Sequence, residues 1–584
     1  LCSQINSEDP IVRPILFSYT LTLFVTLLLS IPTVAQTTSI TDEDLVKGHR
    51  GNSETWPMYG GSYDQQRYSE LDQIDLTNIQ DLEPAWIAHT GLFAAYSGYQ
   101  TGPVIFDGDM YVTTPRIRFD QWVIKYNAET GEERWRTPIR LTHTRFCCGA
   151  NNRGATLYGD KVYVATLDAR IVALNADTGE ELWDISTGEA LAGYSQTCAP
   201  VAFDGKLFIG TAGGEYGIRG FLKAFDADTG DLLWTWYTIP SPEEGGWLGD
   251  WVEEAPGLGI SLNRDIEQEK ADLGKHPDSW KRGGAPIWTT PSLDPELRLI
   301  YVTIGNPGPD FDASARPGDN LWSNSLCAIN IDTGKLEWGF QFMPHDLWDY
   351  DGGCPPVLFD IEYEGEMRKV AGLFTKVGVF YLVDRVTGEL LKASENYVPH
   401  DNIFAVPNDE GVTFSPGILG GTNWSPASFN RQTNWVYSVN IHMPTTLKRM
   451  DEEFKEGQEW LGGVPSFNLE EDGTTWGNVV AIEPASGKIA WKFKTERPMW
   501  GGLITTAGGL VFAGRTKASF DAWNAKTGEH VWQYKLEVGA NAPPSTYQIN
   551  GKQYVVVAAG GGRYLRRSPD IAADAIIAFA LPDK

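Results

Sequence analysis

The chain has 584 residues, 42% of them hydrophobic, which is enough for several domains or one large core. Its formal charge of −29 argues against a nucleic-acid partner, since phosphates would be repelled, and leaves room for a basic partner and a bound cation. Twenty-two tryptophans are unusual, and they turn out to be periodic.

Taken from the N-terminus, residues 15–35 (ILFSYTLTLFVTLLLSIPTVA) form an uncharged apolar run ending in small residues before Gln36. This reads as a secretory signal peptide over 1–36 and predicts export to the periplasm. The preceding segment opens on Leu1 and has one basic residue, Arg13, beside Glu8 and Asp9. A displaced start, or an uncleaved anchor, is the alternative.

Next comes RFCCGANNRG, residues 145–154. Neighbouring Cα atoms lie about 3.8 Å apart, whereas disulfides prefer roughly 4.4–6.8 Å. A Cys147–Cys148 bridge would close a strained ring, of the kind retained where a site uses it. Two adjacent buried thiols are the plainer reading, and the residues alone leave both open. No C-x-x-C-H motif occurs, so covalent c-type haem is not expected on this chain.

From residue 125 onward one phrase recurs: a polar stretch ending in Thr/Ser-Gly, then Trp four residues after the Gly. It ends at Trp135, Trp183, Trp234, Trp338, Trp491 and Trp532; a seventh copy keeps Gly388 but has Lys392 in place of Trp. Each copy reads as strand, turn, strand, and most follow another strand pair such as PVAFDGKLFIGTA. Four antiparallel strands repeating mostly every ~40–55 residues predict a β-propeller. Wide spacings after Gly230 and Gly388 point to insertions near 236–286 and 440–475 within one domain over 37–584. AIIAFALPDK at the C-terminus supplies the first half of an eighth phrase, and LTNIQDLEPAW, ending at Trp86, the second half. Their pairing would close an eight-bladed, all-β ring and remove its exposed edges.

In such a ring the connections alternate between two faces. Cys147, Cys148, Thr197, Asp349 and Trp500 fall between blades, and Glu215, Asn306 and Lys376 between second and third strands. All therefore belong to one face near the axis. Glu215, Asn306, Asp349 and Asp351 are hard oxygen donors, suited to Ca²⁺, Mg²⁺ or a trivalent relative. Arg153 and Lys376 are suited to carboxylates or a carbonyl oxygen, and Trp288 offers a flat surface. Together they describe a site for a flat, anionic, metal-bound cofactor.

On the segments CCGANNRG, GGEYGIRG, GAPIWTTPSLDPELRLIYVTIGNPGP, PHDLWDYDG and GGTNWSPASFN, the chain beyond residue 50 resembles the pyrroloquinoline quinone (PQQ) dependent alcohol dehydrogenases, eight-bladed quinoproteins. The resemblance implies a Cys147–Cys148 disulfide over one PQQ face and Trp288 on the other. It implies Arg153 and Thr197 on PQQ carboxylates, Lys376 on a ring oxygen, and Gly213, Gly214, Asn423 and Trp500 lining the cofactor. It assigns the metal to Glu215, Asn306 and Asp349, and makes Asp349 the base that takes the alcohol proton as hydride passes to the quinone. Pro286 departs from the pattern where relatives place a hydroxyl.

Asp351, two residues after Asp349, would face the same ion in an extended segment. That adds a negative charge and favours a lanthanide(III) over Ca²⁺; in relatives an added aspartate here accompanies lanthanide use, although sugar-oxidising quinoproteins also carry one. The expected partners are a small alcohol and a separate soluble cytochrome c-type acceptor, with a homodimer allowed. A sugar or polyol dehydrogenase and a non-enzymatic envelope scaffold are the competing readings. The segment around Trp247 and Trp251 is either a roof over the substrate or a packed surface loop.

Overall fold

The computed structural model describes residues 39–93, 98–468, 472–561 and 573–583. The signal-peptide segment lies outside them. No helix among the described residues is long and apolar enough to cross a membrane.

Eight antiparallel four-stranded units are present among the described residues. The first runs Val104–Phe106, Asp109–Thr113, Asp120–Asn127, Glu133–Arg140. The second begins at Thr156–Tyr158, the third at Val201–Phe203, the fourth at Ser292–Asp294, the fifth at Val357–Tyr363, the sixth at Ser428–Asn430 and the seventh at Leu503–Thr506. The seventh gains a parallel strand, Tyr68–Ser69. The eighth joins Ser545–Ile549, Lys552–Ala559 and Ala575–Ala580 to Glu83–His89 from the other end of the chain, with Trp86 opposite Ala578. The ring is thus closed by pairing segments from its two ends, with Glu83–His89 as the outer strand of the eighth blade.

The recurring tryptophan explains the repeat. Trp86, Trp135, Trp234, Trp338 and Trp491 each donate the indole N–H to a main-chain carbonyl of the following blade: Ala128, Ala176, Ile331, Arg385 and Ala525 at 2.9–3.3 Å. Each ring also lies on the turn glycine of that blade. At Gly388 a Cβ would sit 2.7 Å from the Trp338 ring, and φ there is +81°, so both space and backbone demand glycine. The odd copy obeys the same rule, for the aliphatic stem of Lys392 covers Gly487 where the indole would lie. Gly388→Ala is expected to destabilise the protein by about 2 kcal/mol or more, combining overpacking with a left-handed backbone. Gly108, equally left-handed (φ +75°) but with nothing near its Cβ, is the control. A Gly388→Ala melting shift no larger than that of Gly108→Ala would remove the packing argument.

Between the third and fourth blades lie a two-stranded hairpin (Glu254–Ala255 with Ile260–Ser261) and a short helix, Ile266–Ala271. The sixth blade carries Thr445–Arg449 and Gly463–Phe467 between its second and third strands, and these join Val412–Phe414 in a small separate sheet.

Candidate active site

The loops between blades, and those between second and third strands, converge on a cleft of about 90 Å³. Its lining includes Cys147, Cys148, Arg153, Thr197, Gly213, Glu215, Trp288, Asn306, Asp349, Asp351, Lys376 and Asn423, contributed by loops of the first through sixth blades. Twelve positions scattered over nearly 280 residues of sequence meet there because consecutive blades bring equivalent loops to one face. Two of the residues expected at the cofactor do not line the cleft. Gly214 stands outside the lining; its Cβ position is 2.9 Å from Pro286, so it serves the approach of two loops. Trp500 packs behind the wall with Trp424, Ile441 and Met443, and Trp424 takes its place at the cleft.

Cys147 and Cys148 form a disulfide across a Cα–Cα distance of 3.8 Å. Cys148 has φ +61°, a conformation that non-glycine residues rarely adopt and that gathers at functional sites. Sγ of Cys148 lies 3.1 Å from Glu215 Oε1. A disulfide sulfur carries no hydrogen, so this is a contact and not a hydrogen bond. Cys198, Cys327 and Cys354 are free and buried, and burial pushes the Cys198 thiol up to about 12, making it an inert packing residue.

Arg153 Nη1 donates to Thr197 Oγ1 at 2.8 Å, and Thr197 donates to the Trp288 carbonyl at 3.0 Å. The Arg153 guanidinium also stands 5.1 Å from the Trp288 ring centre and 4.9 Å from that of Trp424. This end of the cleft is therefore cationic and aromatic. The indole N–H of Trp424 is buried and has no acceptor among the described residues.

The other end is anionic. Lys376 Nζ contacts Asp349 at 2.8 Å and Asp351 at 2.9 Å, so both carboxylates do converge. They do so without the extended segment that the i, i+2 argument assumed: Asp349 has φ +55°. Asp351 Oδ1 also accepts the Asn306 N–H at 2.7 Å, drawing the two metal-type loops together. Burial by itself lowers the Lys376 ammonium, but Asp349 and Asp351 override it and hold it well above its usual range. Burial, with repulsion from Asp351, pushes the Glu215 carboxyl up to about 7 and that of Asp349 well above the carboxylate range. One ammonium is too little positive charge for these buried acids. A cation placed among them would reverse the shifts, and an oxygen-only donor set suits a hard ion. The residues fit both groups: a hard metal at the acidic end, and at the other a flat anion with acceptor oxygens for Arg153, Thr197 and Trp424.

Two features were not visible in the sequence. Asp310, four residues after Asn306, belongs to the same electrostatic cluster, since Glu215, Asp349 and Asp351 all act on it. Trp247 is buried against Ile239 and Gly283 and does not line the cleft; nor does Trp251, which packs under Lys270. Residues 451–462 of the sixth blade's insertion reach the Glu215 loop instead, without lining the cleft. Trp460 donates its N–H to the Glu215 carbonyl at 2.6 Å, and Phe454 and Trp460 pack over Gly217. Asp346, beside His345, accepts the Trp348 and Tyr350 N–H groups at 2.9 and 2.8 Å and caps its own loop.

Comparison with known proteins agrees with this geometry. The family model described as "PQQ: Glucose/ethanol/alcohol dehydrogenase, beta-propeller domain" matches residues 56–405 and 461–555. The quinoprotein alcohol dehydrogenase PedH of Pseudomonas putida is 36% identical, over 85% of this chain and 84% of its own. The lanthanide-dependent methanol dehydrogenase of Methylacidiphilum fumariolicum is 30% identical, over 89% and 87%. Among solved structures, the quinohemoprotein alcohol dehydrogenase from Comamonas testosteroni superposes with a TM-score of 0.80 at 31% identity, covering 93% of this chain and 83% of that one. A europium-containing methanol dehydrogenase gives 0.79 at 28%, covering 92% and 100%. The repeat, the ring, the vicinal disulfide and these matches agree, and the chain belongs to the PQQ-dependent alcohol dehydrogenase family of eight-bladed quinoproteins.

Proposed function

We propose that the protein is a periplasmic dehydrogenase that oxidises an alcohol to an aldehyde, with PQQ and one metal ion bound in the cleft. The observation that carries this reading is the meeting of Glu215, Asp349, Asp351 and Lys376 in the same cleft as the Cys147–Cys148 disulfide and Trp288. PQQ would lie between the disulfide and Trp288, with Arg153 and Thr197 holding its carboxylates and Asn423 and Trp424 at its edge. Glu215, Asn306, Asp349 and Asp351 would hold the metal. When bound, the pair supplies a hydride acceptor polarised by a Lewis acid.

The protein's own work is proton transfer and positioning. Asp349 is the base: its carboxylate takes the alcohol O–H proton as the C–H bond breaks. Its Oδ1 is oriented by Lys376 at 2.8 Å, on a loop whose left-handed φ turns the carboxyl into the cleft. Trp460 and the rest of the 451–462 loop exclude water from the Glu215 side. Electrons leave to a separate, soluble cytochrome c-type acceptor, steered by the acidic surface, so transfer to it slows as salt rises.

The test is reconstitution. Purified protein given PQQ with La³⁺ or Ca²⁺ is expected to take up PQQ in its absorption spectrum and to reduce a dye on adding short-chain alcohols. Failure to take up PQQ, together with no dye reduction under either metal, would end this reading.

A further inference from the structure

Pro286 lines the cleft, and its ring offers no polar atom to a ligand. Its neighbours show what the ring does instead. The Cβ position of Gly214 lies 2.9 Å from Pro286 Cδ, and that of Gly305 lies 2.9 Å from Pro286 Cγ. Neither glycine is in the left-handed region, so space and not backbone conformation requires them. Each immediately precedes an expected metal ligand, Glu215 in one loop and Asn306 in the other. One ring is thus wedged between the residues from which these two ligands spring.

The wedge is held on both sides. The Gly284 N–H donates to the Ile218 carbonyl at 2.9 Å, and the Gly284 carbonyl accepts from Gly220 at 2.8 Å; these tie it to the Glu215 loop. The Ala285 N–H donates to the Asn306 carbonyl at 2.8 Å, and the Pro286 carbonyl accepts from Gly305 at 2.8 Å; these tie it to the Asn306 loop. Thr238 Oγ1 fixes the Ala285 carbonyl at 2.7 Å. A third loop joins the same stack. Asp351 Oδ1 is 2.8 Å from the Gly305 Cβ position and accepts the Asn306 N–H at 2.7 Å. Glu215 on one side, and Asn306 with Asp351 on the other, therefore stand apart by the thickness of a proline ring. In an interior packed this closely, removing even two carbons lets the neighbours move.

Resting on the reading that Glu215, Asn306, Asp349 and Asp351 hold the metal, we propose that Pro286 is a positioning residue that sets the spacing of these ligands and so the radius of the ion the site accepts. Selectivity among hard cations follows from cavity size, ligand number and rigidity. Groups standing behind the ligands typically account for about 10–100-fold in metal affinity.

The experiment gives metal-free protein PQQ and Tb³⁺, reads Tb³⁺ binding by tryptophan-sensitised luminescence, and displaces it with La³⁺ and with the smaller Lu³⁺. The parent is expected to distinguish La³⁺ from Lu³⁺ by about tenfold or more, and Pro286→Ala to weaken Tb³⁺ by about tenfold and bring that ratio below about threefold. PQQ uptake, followed by absorption, should stay within about twofold. Adding Gly214→Ala to Pro286→Ala refills the gap, because without the ring the new methyl has Gly284 Cα, at 3.8 Å, as its nearest neighbour. The pair should recover most of the ratio, which a variant that is merely loosened would not do. A La³⁺/Lu³⁺ ratio in Pro286→Ala within twofold of the parent's would overturn the proposal. So would no recovery in the pair, or a loss of PQQ affinity with the ratio untouched, which would make Pro286 a cofactor contact. If Pro286→Ala does not fold, a parent ratio below twofold overturns it equally. A folded parent that binds no Tb³⁺ at all fails the underlying metal reading instead, and the two failures are thereby distinct.

Discussion

Asp349→Ala is expected to lower kcat for alcohol oxidation by about 10³-fold or more while leaving the propeller folded. The size follows from what the residue is asked to do, since loss of a positioned base typically costs about 10²–10⁴ in rate and this carboxylate is also a proposed ligand. The fold should survive because the change does not strand a charge: Lys376 keeps Asp351 at 2.9 Å. The change also relieves no packing contact of the blades, for the side chain reaches the cleft from a loop. PQQ-dependent dye reduction must be compared at equal metal and PQQ content, measured on the same samples. Turnover within tenfold of the parent at matched metal loading would eliminate Asp349 as the base.

The second large effect concerns the ion. Glu215, Asp349 and Asp351 bring three negative charges, Lys376 removes one, and the PQQ carboxylate expected at the ion restores it. A trivalent ion of calcium's size answers that balance better than Ca²⁺ does. Metal-free protein is therefore expected to be at least tenfold more active with PQQ and La³⁺ than with PQQ and Ca²⁺. Asp351→Ala should reverse the preference. Competition of Ca²⁺ against bound Tb³⁺ gives the same comparison without turnover. Equal or better activity with Ca²⁺ in the parent would defeat the lanthanide assignment.

The fold was legible because its rule is local and repeated. A glycine that must be left-handed and a tryptophan four residues later are readable wherever they occur, and the half-phrases at Trp86 and at 575–584 could be joined on that rule alone. Blade equivalence then put Cys147, Glu215, Asn306, Asp349 and Lys376 on one face without any contact being known. The contents of the insertions followed no such rule. Nothing in the sequence distinguishes Trp247, which packs into the core, from Trp460, which reaches the Glu215 loop, because the difference lies in where each loop lands. Asp310 was hidden for a similar reason. Its place beside Glu215, Asp349 and Asp351 is set by how four loops pack, which is a property of three dimensions. Asp349 shows a third kind of gap: its convergence with Asp351 was anticipated from an extended segment, while the chain achieves it through a left-handed turn.

The seam of the eighth blade bears on how the molecule comes into being. Glu83–His89 has its neighbour in Ala575–Ala580, so one of the earliest strands waits for one of the last. Until that final strand has been made, the ring stands open as a chain of blades with a raw margin at each end. Each margin is a row of unsatisfied amides able to recruit a stranger's strand. Assembly is therefore governed by the slowest kind of contact, one spanning nearly the whole polypeptide. A nascent chain stopped short of residue 575 would hold every loop of the cleft and still have nothing to shut against.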